Sequence, residues 1–348
     1  MNEREIVIET LRHRRCDVIP HNIDFTSTMR EKMCGALGLA SAADVSEAVG
    51  NYFVQLNVGS VTGPSEGVIP EIYPKRVGPE TYRDDWGVVW RREPGDDIGV
   101  VERPAIPEPT LTGFTAPEPA PRGKWLEAFA RGERERFRLV SLSSPIFQRA
   151  WFLRGFENFL VDLALHERFV HELVEMILEY TTKVVREAVS YDIDGLFFMD
   201  DWGQQEGLLI SPEMWRRYFK GGMEKLFRMA KERGLSVFFH SCGNIEALIG
   251  ELVEMGVDVL NPFQPEVMDV YRLKREYGGR LSFYGGIGTQ NVLPHGRTEE
   301  VKADVREKIR LLGEGGGYIL APAHAVQADA PVENVLAMVE ALREQRGA

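Results

Sequence analysis

The residues with the clearest chemical potential in this sequence lie in one short stretch, residues 237–244, which reads Val-Phe-Phe-His-Ser-Cys-Gly-Asn. Valine and paired phenylalanines favour a strand, and Gly-Asn favours a turn that ends it. Residues two apart on a strand point to the same face, so His240 and Cys242 are predicted to face one space at the C-terminal end of that strand. Zinc takes both ligand types, and a catalytic zinc commonly has three protein ligands and one open position. A hydrogen-bonded core histidine beside a small buried cysteine fits the same stretch, so the prediction needs a third ligand.

Composition restricts the classes of function that the chain can have. A hydrophobic content of 44% in 348 residues is typical of a globular protein and fits two average domains or one large barrel. The formal net charge of −12 argues against a general nucleic-acid binder, because neutralising phosphates needs a basic face. Three scattered cysteines cannot form a disulfide framework and favour a reducing compartment. The charged N-terminus and the lack of an apolar run near the ~20 residues of a membrane span predict a cytoplasmic protein without a membrane anchor.

Short apolar runs alternate with helical stretches through most of the chain. Strands are predicted at 18–25, 51–58, 137–147, 194–199, 235–240, 257–262, 280–285 and 317–321. Helices are predicted at 2–15, 28–37, 42–49, 155–188, 211–233, 245–255, 266–277 and 298–313. This alternation is typical of parallel βαβ units, and continuous apolar strands suit burial on both faces. About eight strands favour an α/β protein with a (β/α)8 TIM barrel, formed by residues 1–348 as a single domain, over a doubly wound sheet.

Residues 60–125 interrupt this alternation. Residues 82–91 are typical of a hairpin with Gly87 near its turn, and six prolines between Pro104 and Pro121 argue against a helix or a central strand. We therefore expect an insertion or N-terminal elaboration there. A surface segment is the simplest interpretation, and a lid or a contact in a homodimer are the alternatives.

Polar residues follow the predicted strands at the ends that converge in a barrel, where such enzymes carry their chemistry. His324 follows strand 317–321 and supplies a third ligand beside His240 and Cys242, although a histidine held by backbone groups at a loop start fits equally well. Other polar side chains sit at or just past strand ends and could orient a small polar molecule. They are Asp201, Gln204, Gln264 and Tyr284, and on the first strand His21, Asn22 and Asp24 could face a pocket.

Two adjacent carboxylates, Asp200 and Asp201, follow strand 194–199. Neighbouring side chains point in different directions, so we expect at most one of them to reach an ion or a substrate. The alternative is that both form a turn ahead of a helix that Ser211 caps and Pro212 begins. Glu206 is a further candidate metal ligand.

These motifs give the chain a resemblance to the uroporphyrinogen decarboxylase superfamily, and within it to zinc-dependent cobamide methyltransferases of the methylcobamide:coenzyme M type. The matching segments are Leu-Ile-Ser-Pro-Glu-Met-Trp at 209–215, His-Ser-Cys-Gly-Asn at 240–244, Leu-Asn-Pro at 260–262, Tyr-Gly-Gly-Ile at 284–287, Tyr-Ile-Leu-Ala-Pro at 318–322 and Pro-Val-Glu-Asn at 331–334. The resemblance is strong from about residue 190 onward and weak before it. It implies a TIM barrel.

The methyltransferases complete their zinc site with a second cysteine after the last strand, and that position here is His324. The resemblance therefore implies zinc bound by His240, Cys242 and His324. From their positions at strand ends, Asp201 and His324 are the predicted catalytic residues, and Gln204, Gln264 and Tyr284 are predicted to bind the substrate. The resemblance also implies a corrinoid (methylcobamide) cofactor on a partner corrinoid protein, since no corrinoid-binding domain is recognisable here.

The function implied is transfer of a methyl group between that corrinoid and a thiol or other small molecule. The decarboxylases also carry a histidine after the last strand, so the alternative is a metal-free lyase in which Asp201 and His324 act on a carboxylated substrate. A non-catalytic ligand-binding barrel is the third alternative. Porphyrinogen decarboxylation itself is disfavoured, because the family's Arg-Gln-Ala-Gly-Arg segment is absent and residues 22–30 contain only one arginine, Arg30.

Overall fold

A computed structural model describes residues 1–59, 70–93 and 99–345. Its strands are β1 (Phe53–Asn57), β2 (Lys75–Arg76), β3 (Thr81–Arg83), β4 (Val89–Arg91), β5 (Val100–Arg103), β6 (Phe137–Ser143), β7 (Gly195–Met199), β8 (Ser236–His240), β9 (Val259–Phe263), β10 (Ser282–Ile287) and β11 (Tyr318–Pro322). Its helices are α1 (Glu3–Leu11), α2 (Ser27–Ala36), α3 (Val45–Ala48), α4 (Gly123–Arg131), α5 (Phe147–Arg154), α6 (Phe156–Leu165), α7 (Glu167–Ala188), α8 (Pro212–Trp215), α9 (Gly221–Lys231), α10 (Ile249–Glu254), α11 (Val270–Tyr277), α12 (Val292–His295), α13 (Thr298–Leu312) and α14 (Val332–Glu344). The predicted α/β class is confirmed.

The chain divides into two compact units. Unit 1 contains Met1–Val54, Glu133–Arg138 and Val257–Ala348, and unit 2 contains Gln55–Gly132 and Leu139–Gly256.

In unit 1, β10 lies between β9 and β11, and all three strands are parallel. The predicted first strand, 18–25, is an extended segment that forms two parallel bridges to the β11 side, His21 to Leu320 and Phe25 to Val326. Helix α1 ends at Leu11, short of the predicted residue 15, because His13 adopts a φ of 54°, which an α-helix cannot contain.

In unit 2, β7 lies between β6 and β8 in a parallel arrangement, with Phe198 opposite Phe239 and Met199 opposite His240. Both phenylalanines are fully buried, which agrees with strands covered on two faces. The predicted helix 155–188 is two helices, α6 and α7, and the predicted helix 211–233 contains a π-helical turn, Arg216–Lys220, between α8 and α9. Ser211 caps α8 as predicted, since its Oγ accepts a hydrogen bond from the Met214 amide.

The predicted hairpin at 82–91 is confirmed in unit 2. Strands β3 and β4 pair in an antiparallel arrangement, and Gly87 has the positive φ of 85° that its turn requires. They belong to a four-stranded sheet in the order β2-β3-β4-β5, which the sequence analysis missed because the outer strands are short, exposed and mostly charged. Residues 60–69 and 94–98 of the predicted insertion lie outside the described residues.

Within the described ranges, no helix combines the length and the apolar composition needed to cross a bilayer.

A buried ion pair fastens this hairpin to helix α5. The Asp84 carboxylate accepts hydrogen bonds from the Val88 amide at 2.9 Å, the Trp90 indole at 3.2 Å and the Arg149 guanidinium at 2.8 Å. The side chains of Asp84 and Arg149 are 1% and 3% exposed, so neither charge has water to replace a lost partner.

We predict that Asp84→Ala lowers the free energy of unfolding by about 3–5 kcal/mol, because it leaves the Arg149 charge buried without its counter-ion. The measurement is denaturant unfolding of the purified variant. Glu172→Ala, which removes an exposed ion pair with Arg168, is the control and should leave the free energy of unfolding almost unchanged. Equal stability of the two variants would contradict this assignment.

Candidate metal centre

Three potential metal ligands of unit 2 lie close together after β7 and β8. One ligand atom each from Asp201, His240 and Cys242 lies within 4.8 Å of the other two. The Cys242 Sγ is 3.3 Å from the His240 Nε2, and that nitrogen is 3.4 Å from the Asp201 Oδ1. All three residues are partly exposed, so a small ion or molecule could reach them. We call these residues the His-Cys-Asp cluster.

The register of β7 and β8 explains why the Asp201 carboxylate joins the other two side chains. Met199 of β7 lies opposite His240 of β8, and the strands are parallel. Asp201 and Cys242 each follow this pair by two residues, so both leave their strands on corresponding sides. The Cys242 amide donates a hydrogen bond of 2.8 Å to the Asp201 Oδ1.

Further hydrogen bonds join the two loops that follow these strands. The Asp200 amide donates to the His240 carbonyl at 3.0 Å, and the Trp202 amide donates to the Ser241 Oγ at 2.8 Å. The loops approach so closely that they need glycine: a Cβ at position 203 would lie 2.6 Å from the Cys242 carbonyl oxygen. The geometry of the His-Cys-Asp cluster is therefore set by backbone contacts as well as by side chains.

The two adjacent carboxylates point in different directions. Asp200 is fully buried, and its carboxylate accepts hydrogen bonds from the amides of Phe147 and Gln148 and from the indole of Trp202. Burial raises the pKa of Asp200 to about 7, although these three donors favour the ionised form. Asp200 thus holds the first turn of α5, whereas Asp201 faces His240 and Cys242.

The donor atoms of the cluster fit zinc. Imidazole nitrogen, thiolate sulfur and carboxylate oxygen are all zinc ligands, whereas magnesium and calcium take oxygen ligands and do not favour a thiolate. In the parts of the chain that the structure describes, no second group of three histidine, cysteine, aspartate or glutamate ligand atoms approaches so closely.

Two other predicted site residues of unit 2 lie on a turn that the Gly203–Leu208 bridge closes. The side chains of Gln204 and Glu206 are exposed on this turn. The backbone amide of Gln204 donates to the backbone carbonyl of Gly207 at 2.7 Å. Glu206 is not a member of the His-Cys-Asp cluster.

His324 lies in unit 1, in a segment that bulges beside the extended segment 18–25. Three residues separate His21 from Phe25, but five separate their partners Leu320 and Val326. The segment between Leu320 and Val326 thus contains two residues more than the segment that it faces, as in a β-bulge. His324 belongs to this bulge and is exposed.

The remaining predicted site residues also lie in unit 1. The buried Asn22 side chain donates to the Tyr284 hydroxyl at 2.9 Å and to the Asp24 Oδ1 at 3.1 Å. Burial and the nearby Asp24 charge raise the pKa of Tyr284, and desolvation raises the pKa of Asp24 although Arg30, Asn22 and His324 oppose it. Gln264 is buried directly after β9, where its backbone carbonyl accepts a hydrogen bond from the Met268 amide.

Gln148 was not among the predicted site residues, yet its Nε2 donates to the Asp201 Oδ2 at 3.0 Å. The available signal was its position directly after the predicted strand 137–147, at a strand end like the other candidates. Strand β6 in fact ends at Ser143, and Gln148 lies in the first turn of α5.

Curated relatives of the chain include methyltransferases and decarboxylases. The methylcobamide:CoM methyltransferase MtaA of Methanosarcina barkeri is 26% identical over 136 residues, which cover 39% of this chain and 38% of the relative. The methylated-thiol–coenzyme M methyltransferase of Methanosarcina mazei is 24% identical over 206 residues, covering 59% and 53%. The uroporphyrinogen decarboxylase of Thermus thermophilus is 28% identical over 182 residues, covering 51% and 49%. The chain thus spans about half or less of the length of these relatives.

The fold is shared with a solved methyltransferase from Methanosarcina mazei, at a TM-score of 0.74 and 18% identity over 99% of both chains. At this identity the likeness shows the fold alone. The model of the uroporphyrinogen decarboxylase (URO-D) family matches residues 128–345, which is more than half of the chain. The protein therefore belongs to the uroporphyrinogen decarboxylase (URO-D) family.

Proposed function

We propose that this protein is a zinc-dependent methyltransferase that moves a methyl group between a corrinoid, carried by a partner protein, and a thiol or another small molecule. The observation that carries the proposal is the His-Cys-Asp cluster, because its thiol and imidazole are 3.3 Å apart and suit zinc. The relatives named as methylcobamide and methylated-thiol methyltransferases support the same reaction class.

In this proposal His240 and Cys242 bind zinc, and His324 or Asp201 is the third protein ligand. Zinc, when bound, lowers the pKa of a thiol or water that it coordinates and so provides a nucleophile at neutral pH. The contacts around His240 and Cys242 hold these two ligands in place. The Asp201 carboxylate accepts the Cys242 amide, and this hydrogen bond keeps the backbone of Cys242 in place beside His240.

The groups that would bind the small molecule are Gln204, Gln264 and Tyr284, and Asp201 and His324 would act in catalysis. Asn22 supports Tyr284 by donating to its hydroxyl, which fixes the direction of the phenol ring. The Asp24 carboxylate, which accepts a hydrogen bond from the same Asn22 side chain, is a further polar group that a substrate donor could meet.

We also propose that the strands complete a (β/α)8 barrel as one domain over residues 1–348, with 60–125 as an insertion, and that the protein works in the cytoplasm. The likeness to a solved methyltransferase over 99% of both chains supports the barrel. The parallel strands within each unit are of the kind that such barrels contain.

A second candidate is a metal-free lyase that acts on a carboxylated small molecule. The relative named as a uroporphyrinogen decarboxylase, at 28% identity, favours it. The polar group formed by Asn22, Asp24 and Tyr284 could serve such a reaction without a metal. The two candidates differ in whether the thiol of Cys242 is needed, because a lyase of this kind has no use for a zinc thiolate.

We predict that protein purified without added metal contains about one zinc per chain, and that Cys242→Ala and His240→Ala lose most of it, since each removes a ligand. The measurement is elemental analysis of the purified protein. Cys34→Ala is the matched control and should retain the metal. Loss of zinc in Asp201→Ala or in His324→Ala identifies the third ligand. Equal zinc content in every variant would contradict the proposed metal centre.

We predict that the zinc-loaded protein removes the methyl group of methylcobalamin in the presence of a suitable thiol, and that Cys242→Ala does not. The measurement is the loss of the methyl-cobalt absorbance with a panel of thiols, with Cys16→Ala as the control that retains activity. No reaction with any acceptor, together with release of carbon dioxide from a carboxylated substrate, would favour the lyase instead.

A further inference from the structure

Gln148 contacts the His-Cys-Asp cluster through a single side-chain hydrogen bond, from its Nε2 to the Asp201 Oδ2 at 3.0 Å. The orientation of its amide group follows from its partners. The Nε2 donates to the Asp201 carboxylate, and the Oε1 lies 3.5 Å from the Ser144 hydroxyl, which can donate to it.

The contacts of the Asp201 carboxylate divide between its two oxygens. Oδ1 accepts the Cys242 amide at 2.8 Å and lies 3.4 Å from the His240 Nε2, whereas Oδ2 accepts from Gln148. A carboxylate held at both oxygens cannot rotate about its terminal bond without losing a hydrogen bond. The Gln148 contact therefore restricts the plane of the carboxylate relative to the thiol and the imidazole.

The backbone around Gln148 is fixed independently of its side chain. The backbone amide of Gln148 donates to the Asp200 Oδ1 at 2.8 Å, and the backbone amide of Phe147 donates to the Oδ2 of the same carboxylate at 2.9 Å. Ser144 has a φ of 53°, which is uncommon for a residue with a side chain, and its amide donates to the Met199 carbonyl. Replacing the Gln148 side chain leaves all of these backbone contacts in place.

We propose that Gln148 is a positioning residue for the metal centre. Its side-chain amide orients the Asp201 carboxylate so that the Oδ1 faces Cys242 and His240. This rests on the proposed function, in that the cluster must bind zinc. Partners that orient the groups around a metal typically change its affinity 10–100-fold when they are removed. A glutamine that served only to join α5 to the loop after β7 would affect stability and not metal affinity.

The test is the zinc affinity of the metal-free full-length protein, measured by competition with a chromophoric chelator. We expect Gln148→Leu, which keeps the volume and removes the donor, to weaken zinc binding by about 10–100-fold. Gln148→Met, which also keeps the volume and has no donor, should weaken it to a similar degree. Gln205→Leu, a change at an exposed glutamine of the same unit, is the matched control and should bind zinc as the wild type does.

Cobalt substitution gives a second measurement that stability alone does not affect. The Co(II) absorption of Gln148→Leu should differ from that of the wild type in its visible bands, because the ligand geometry has changed, and that of Gln205→Leu should not. Zinc affinity and Co(II) spectra equal to the wild type in both Gln148 variants would overturn the proposal, as would a loss of affinity that only follows a loss of thermal stability. A wild-type protein that binds no zinc would instead overturn the proposed function, and the role of Gln148 with it.

Discussion

The hydrogen bonds between the loop after β7 and the loop after β8 are the interaction on which the candidate metal centre depends. Each strand end carries part of the donor set: Asp201 follows β7, whereas His240 ends β8 and Cys242 lies in the loop after it. The bond from the Cys242 amide to the Asp201 carboxylate joins the two parts, and a hydrogen bond to a charged group typically contributes about 1.5–3 kcal/mol. Glycine at positions 203 and 243 permits this approach, since a Cβ at either position would overlap the backbone of the other loop.

Two neighbouring carboxylates can serve this arrangement because the protein gives them different surroundings. Asp200 is buried and surrounded by three donors, so it links α5 to the end of β7. Asp201 keeps partial contact with solvent and has donors at both oxygens. Two adjacent charges facing one space would repel each other strongly. The different directions of the two side chains reduce that repulsion, although the Asp201 charge still contributes to raising the pKa of Asp200.

Sequence alone predicts what depends on local periodicity and misses what depends on register. The alternation of a strand placed His240 beside Cys242, and it separated the directions of Asp200 and Asp201. The contact of Asp201 with Cys242 depends on how β7 and β8 align, and no local pattern encodes this alignment. The bulge at His324 likewise arises from unequal segment lengths between two bridges, which become visible only when both partners are known. Gln148 was missed because the predicted strand extended to residue 147, whereas β6 ends at Ser143 and helix α5 begins at Phe147.

The central claim is that the Cys242 thiolate binds zinc in the His-Cys-Asp cluster. X-ray absorption at the zinc edge of the purified protein measures the ligand atoms directly. We expect one sulfur at about 2.3 Å, with the remaining nitrogen and oxygen ligands at about 2.0–2.2 Å. A spectrum fitted by nitrogen and oxygen alone, without a sulfur ligand, would contradict it.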